Sequence, residues 1–441
     1  MKTNKCFQKI LFKFFLFSIL ITNPISATAE WTTLVFIQAR NNLNKFASKN
    51  INDMAMVGSN KNLNILVQLY QPNNRGVWRY KINKNKLELD SFLKSNTDGT
   101  NTSDLVGAMK WATSKYPAKK YSLVLWNHGV GILDPNWNGS HRIFSSKLIT
   151  DDQNLQTEYL KTTNENKMEQ EKMHHRGILF NEQSKTYMNN QQLVEALKQI
   201  KNNVLKNKKI DIFGMDACLM AMLEVGYQSR NYAKYMVASQ EVELAYGWPY
   251  IQIMNQLSLG NMSPIKLAES IVLFYRQYYK NKIPFFTQSA VNLENIIHVK
   301  NNVDQVVALV NNCKKQDKNA IKNLIKNARK HSIQFSTKFY VDLHSFYFQL
   351  SQQLKQHYFN KNSKQKNHFL LKNVSNLKKA LKIGMKLIEN AVIASTAGKK
   401  LKSVKGISIY FPLKGIDKSY YKTEFAQNSL WVDLLKFSQE K

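Results

Sequence analysis

Cysteine is scarce in this chain: three in 441 residues, at positions 6, 218 and 313. So few thiols exclude a fold held by a disulfide framework. Acidic residues are also few, with 30 Asp and Glu against 63 Lys and Arg and a formal net charge of +33. The basic side chains are lysines scattered among asparagines, not arginine-rich blocks, and no nucleic-acid signature accompanies them. The charge fits a solvated, Lys/Asn-biased surface or contact with an anionic surface such as lipid headgroups or polysaccharide. Beyond the N-terminus no apolar run is long enough to span a bilayer, and there is no internal repeat.

The N-terminus is the exception to the missing apolar runs. Lys2, Lys5 and Lys9 precede an apolar stretch from Ile10 to Ile21, interrupted by Lys13, and Ala27-Thr28-Ala29 offers small residues for cleavage. This is the pattern of a secretory signal peptide over residues 1–29. An uncleaved anchor would need about 20 apolar residues. Cys6 precedes the apolar stretch, so it is not placed to become a lipidated first residue. Losing the segment's four lysines leaves +29 of the +33. The mature protein is expected outside the cytoplasm, secreted or in the periplasm or cell envelope. Cys218 and Cys313 then either pair or stay free. Cys313, between Asn311-Asn312 and Lys314-Lys315, reads as a lone surface thiol, which leaves Cys218 free in an oxidising compartment.

Two short stretches organise what remains. YSLVLWNHGVG (121–131) and KIDIFGMDACLM (209–220) are apolar runs ending in polar turns, as suits strands buried on both faces of a parallel sheet. Around them the order is α/β. Trp31–Gln38 is a strand followed by a helix towards Met56, Leu63–Tyr70 is a strand, and Gly76–Ile82 is an antiparallel one. A helix capped by Ser103 leads to the first stretch, and one capped by Asn190 leads to the second as a parallel crossover. A helix over Leu219–Gln228, a strand over Tyr235–Ser239 and a helix started by Ser263-Pro264 follow. Residues 30–260 form the expected α/β domain, with a polar insertion at about 136–188. Residues 261–441 are helix-rich and return a strand at 406–411 to the core.

This order sets His128 and Cys218 side by side past the carboxyl ends of neighbouring strands, where open α/β sheets form their crevices. A thiol attacks an amide as thiolate and the departing amine needs a proton, so an adjacent imidazole serves both steps. Backbone N–H groups at Gly129 and Cys218 could face the developing oxyanion. Taken singly, each residue has a plainer reading: a small buried cysteine, a surface histidine.

NHGVG (127–131) with DACLM (216–220) closely resembles the clostripain family of cysteine endopeptidases, relatives of the caspases and gingipains. Similar stretches run along most of the mature chain: WTTLVFIQARNNL near its start, VASQEVELAYGWPY at 237–250 and GISIYFP at 406–412. The resemblance implies a caspase-like α/β/α sandwich with a mostly parallel central sheet, His128 as catalytic imidazole and Cys218 as nucleophile. It implies Asp216 in the pocket for the substrate's P1 side chain, hence protein or peptide substrates cut after Arg or Lys, since a partly desolvated carboxylate pairs with either cation. Asp216 could also cap the helix expected near Leu219. Family members are often precursors cut between the two motifs at basic residues. Arg142, Lys147, Lys161, Lys167, Lys172 and Arg176 lie there, with Lys147 and Arg176 the first candidates; the alternative is an ordinary surface loop.

Two departures bear on cofactors. Arg40 and Gln240 stand where the family often has acids, and there is no carboxylate cluster of EF-hand spacing, so the calcium some members require is not expected. Asp151-Asp152 falls in the insertion, and His174-His175 has no third ligand in view; no metal is expected. A second reading from another class keeps the chain as a basic envelope- or polyanion-binding protein with little or no peptidase activity.

Overall fold

Both faces of the first strand are apolar. In the computed structural model, which describes residues 28–72, 76–94, 97–134, 178–359 and 368–440, β1 (Ala29–Gln38) turns Leu34 and Phe36 into one core and Val35 and Ile37 into another. A strand with this alternation must be covered on both sides. The covering elements follow in chain order. Helix Asn44–Val57, β2 (Leu63–Tyr70), β3 (Gly76–Asn83), β4 (Lys86–Lys94) and helix Thr102–Lys115 lead to β5 (Ala118–Trp126). A hairpin of β6 (Ile178–Asn181) and β7 (Thr186–Met188) then precedes helix Asn190–Gln199 and β8 (Ile210–Asp216). Helix Leu223–Ser229, β9 (Ala233–Ala238) and helices Tyr250–Ser258 and Pro264–Tyr279 close the first half.

The large sheet gains two strands from the second half, β10 (Thr287–Asn292) and β12 (Val392–Ala397), and β11 (Tyr340–Asp342) lies between them in sequence. Its order is β12-β10-β9-β8-β5-β1-β2-β3-β4. The central run from β9 to β2 is parallel, and two antiparallel strands flank it on each side. One face packs on Leu105, Met109, Leu193, Leu197, Val299 and Val303 from helices. The other packs on Phe46, Ile51, Met54, Ile253, Ile271 and Tyr275. The result is an α/β/α sandwich built on a mixed sheet with a parallel core.

Three expectations need correction. Cys313 is fully buried, and neither it nor Cys218 is in a disulfide. It falls on the inward stripe of helix Ile296–Lys314 with Val303, Val306 and Val310, so helical spacing outweighs its polar sequence neighbours, and burial pushes its thiol up to about 11. The helix expected from Leu219 starts at Leu223, because Leu219 takes φ 65, outside the right-handed helical region. The strand expected at 406–411 is β13 (Ser408–Tyr410), which pairs with β11 in a separate two-stranded sheet. β10 and β12 join the large sheet instead, although TQSAVN and VIASTA carry little of the usual strand signal. The expected signal peptide and most of the insertion, with Arg142, Lys147, Asp151-Asp152, Lys161, Lys167, Lys172, His174-His175 and Arg176, lie outside the described residues.

Candidate active site

β5 and β8 are parallel neighbours with Trp126 level with Asp216, and the Asn127 N–H donates to the Asp216 carbonyl at 3.3 Å. The two strands therefore release their chains side by side. The following loops touch at Gly129: a Cβ there would overlap the Cys218 carbonyl oxygen and come within 3.1 Å of Ala217 Cβ and Met220 Cγ. Only glycine permits so close an approach.

Asparagines fix the His128 loop. The Asn127 amide donates to the carbonyls of Gln38 and Phe180, and its Oδ1 accepts from the N–H groups of His128 and Phe180. One side chain thus ties β1, β6 and the loop after β5 together. Half-buried His128 places Nε2 2.9 Å from Oδ1 of Asn42, which follows β1. With Oδ1 accepting, Nε2 carries the proton of the neutral ring and Nδ1 is its basic nitrogen.

Cys218 sits on a turn held by the strand beyond. The Leu219 N–H donates to the Glu241 carbonyl at 3.1 Å and the Ala221 N–H to the Ser239 carbonyl at 2.8 Å. Sγ accepts from the Glu243 N–H at 3.3 Å and lies 3.7 Å from the Glu243 carbonyl oxygen. Burial, followed by the negative groups Glu243, Glu241 and Asp216, pushes the thiol up to about 12 despite the opposing Glu243 N–H.

Asp216 does not cap a helix. Its Oδ2 accepts from the Trp248 N–H at 3.1 Å and the Tyr250 hydroxyl at 2.9 Å, and the following helix begins only at Leu223. Loop 243–250 folds over this carboxyl. Gly247, with φ 67, leaves room where a Cβ would stand 2.7 Å from Oδ2. Asn50 bridges the loop to the sheet, donating to the Tyr246 carbonyl and accepting from Trp126 Nε1. Burial raises Asp216 to about 6 against the hydrogen bonds from Trp248, Glu243 and Tyr250.

The second half of the chain clamps both loops. The Tyr340 hydroxyl on β11 donates to the Val130 carbonyl at 2.5 Å, and the Ser408 N–H on β13 donates to the Ala221 carbonyl at 2.9 Å. Asn42, Asn127 and Glu243 lie inside stretches whose pattern is recognisable in the sequence, but nothing in the sequence assigns them these contacts. Tyr340 carries no such signal. At the first departure from the expected pattern, buried Arg40 donates to the carbonyls of Gln71, Thr97 and Gly76. At the second, Gln240 donates to Asp342 and accepts from the Gly406 N–H. Among the described residues, no helix is long and apolar enough to cross a membrane, and no three His, Cys, Asp or Glu side chains are grouped to hold a metal ion.

The fold is similar to that of a secreted C11 cysteine protease from Bacteroides thetaiotaomicron in complex with an irreversible peptide inhibitor. The TM-score is 0.56 at 19% identity, over 91% of this chain and 99% of that one. It is also similar to an inactive zymogen C11 protease from Parabacteroides distasonis, with a TM-score of 0.58 at 19% identity, over 91% and 98%. No curated protein sequence matches significantly. The model of the clostripain family matches residues 35–168 and 163–440, which is most of the chain. The protein belongs to the clostripain family of cysteine peptidases.

Proposed function

We propose that the chain is an exported endopeptidase that cuts after Arg or Lys, with Cys218 as nucleophile and His128 as the acid and base. The observation that carries this reading is the seating of Gly129 against the Cys218 carbonyl at the ends of two adjacent parallel strands. Asn42 holds the Nε2 proton of His128, so Nδ1 takes the proton from Sγ as it attacks the scissile carbonyl and returns it to the departing amine. The carbonyl oxygen gathers negative charge next to the N–H groups of Gly129 and Cys218, which stabilise it. Asp216, two residues before the nucleophile, receives the cationic P1 side chain. At position 40, where the family often has an acid, a guanidinium gathers three backbone carbonyls, so this position offers a cation no carboxylate. The precursor is cut by its own site between the two motifs, at Lys147 or Arg176.

The Cys218→Ala protein tests this directly. Hydrolysis of Arg and Lys reporter peptides is expected to vanish, and the purified variant is expected to stay uncut between 134 and 178. Retained hydrolysis would remove Cys218 from the reaction, and continued cutting of the pure variant would assign processing to another protease.

A further inference from the structure

The residues after His128 are held from the far half of the chain, by a contact that the reaction above leaves without a role. β11 and β13 pair antiparallel, with Tyr340 opposite Tyr410 and Asp342 opposite Ser408, and each strand holds one catalytic loop. From β13, the Ser408 N–H and hydroxyl both donate to the Ala221 carbonyl, at 2.9 and 3.1 Å, just past Cys218. From β11, the Tyr340 hydroxyl donates to the Val130 carbonyl at 2.5 Å, just past His128. The two-stranded sheet therefore brackets the imidazole loop against the thiol loop.

The packing makes the hold on the imidazole loop specific. Tyr340 and Val130 are both buried, and leaving a buried carbonyl without its donor is costly enough to shift a loop. Gly131, at φ 74, admits the ring: a Cβ there would stand 2.7 Å from Tyr340 Cε2 and 2.6 Å from Met222 Sδ. The Ile132 N–H donates to that same sulfur at 3.3 Å, a weak acceptor, and the Ile132 carbonyl is held by the Asn190 amide at 2.7 Å. On the other side, Asn127 fixes the His128 backbone and Asn42 fixes its ring. The Tyr340 hydroxyl supplies the restraint nearest to His128 on its C-terminal side.

We propose that Tyr340 is a positioning residue for His128: its hydroxyl holds the Val130 carbonyl so that the imidazolium stands over the departing amine. The inference rests on the reading of Cys218 and His128 given above. Sγ forms its bond to the acyl carbon, and the proton taken by Nδ1 must then reach the leaving nitrogen as the bond from nitrogen to that carbon breaks. A misplaced ring fails most at this second transfer. An amine leaves only when protonated, whereas a nitrophenolate leaves as the anion. An amide and an activated ester with the same Arg side chain therefore report separately on where the ring stands.

The test compares kcat/KM of the full mature protein on an Arg peptide amide reporter and on the matching nitrophenyl ester. Tyr340→Phe keeps the ring and removes one oxygen. It is expected to lower the amide-to-ester ratio about tenfold, part of the worth of a positioned acid, with KM on the amide changed less than about twofold. Gly131→Ala, which pushes a methyl group into the Tyr340 ring, disturbs the same contact with the tyrosine unaltered and is expected to give the same signature. Tyr420→Phe also removes one buried hydroxyl, from Glu224, and is expected to keep the native ratio. Equal loss on amide and ester in Tyr340→Phe, or an unchanged ratio, would make Tyr340 a structural residue and overturn the proposal while leaving the dyad intact. Hydrogen exchange on the unaltered protein needs no variant to fold: the amides from Gly129 to Leu133 are expected to exchange slowly without substrate, and free exchange there would overturn the proposal as well. If the unaltered protein cleaves neither reporter, or Cys218→Ala cleaves both, the reading of the dyad falls, and this inference with it.

Discussion

Asp216 and Glu224 stand on either side of Cys218, and both are buried carboxyls raised by desolvation, to about 6 and about 7. Their surroundings differ. Glu224 Oε1 accepts from the Tyr410 N–H at 2.9 Å and the Tyr420 hydroxyl at 3.1 Å, which fastens helix Leu223–Ser229 to β13 and the C-terminal segment. Asp216 instead shares its space with a second carboxyl and with the thiol. A buried acid with a raised proton affinity is thus no sign of function by itself. What separates the two is their surroundings: Glu224 Oε1 is tied by neutral donors to the C-terminal segment while its buried Oε2 has no hydrogen-bond partner, and Asp216 lies beside the nucleophile, where we propose that it receives a cation.

The largest expected effect would break this contrast if it failed. Asp216→Asn is expected to lower kcat/KM on Arg and Lys reporters by about 100-fold, roughly the worth of a charge-assisted bond in a desolvated site, and to spare a reporter with a neutral P1 residue. Equal loss on both would make Asp216 a structural acid like Glu224. A smaller effect tests the support of the imidazole. Asn42→Ala is expected to lower kcat about tenfold with KM nearly unchanged and to shift the pH profile, because the ring then loses the partner that fixes its tautomer. On the other side of the contrast, Tyr420→Phe removes one hydrogen bond from Glu224. It is expected to reduce stability by about 1 kcal/mol in denaturant titration and to leave kcat/KM unchanged.

Much of this contrast was legible in the chain. The apolar runs before His128 and Cys218 predict buried parallel strands, and the helix between them predicts that they are neighbours; β5 and β8 are paired. Local patterning could not show which side chains close the site. Glu243 lies 25 residues beyond Cys218 and reaches it through a loop held by Asn50, Gly247 and Tyr279, contacts without periodicity. Cys313 misled because its sequence neighbours are polar while its helical face is apolar. β10 was missed because its polar residues are buried by specific bonds, Thr287 accepting from the Gln240 and Glu241 N–H groups and Gln288 donating to Glu243.

The last effect concerns stability and isolates Glu224. Its affinity for a proton is higher folded, at about 7, than unfolded, at the ordinary 4.5. Between those values the folded protein binds more protons, so this group's contribution is complete below about pH 4.5 and is lost as the pH rises through about 7. At about 1.4 kcal/mol per tenfold in proton affinity, the rise from 4.5 to about 7 makes the loss at most about 3 to 4 kcal/mol. Asp216, Glu241, Glu243 and Asp342 are raised in the same direction, so the melting temperature of the unaltered protein is expected to fall from about pH 5 to pH 8. Glu224→Gln carries no titrating proton, keeps an acceptor for Tyr410 and Tyr420, and is expected to flatten part of that fall without touching cleavage. If Glu224→Gln lowered kcat/KM on Arg and Lys reporters, the division between a structural carboxyl at 224 and a site carboxyl at 216 would not hold.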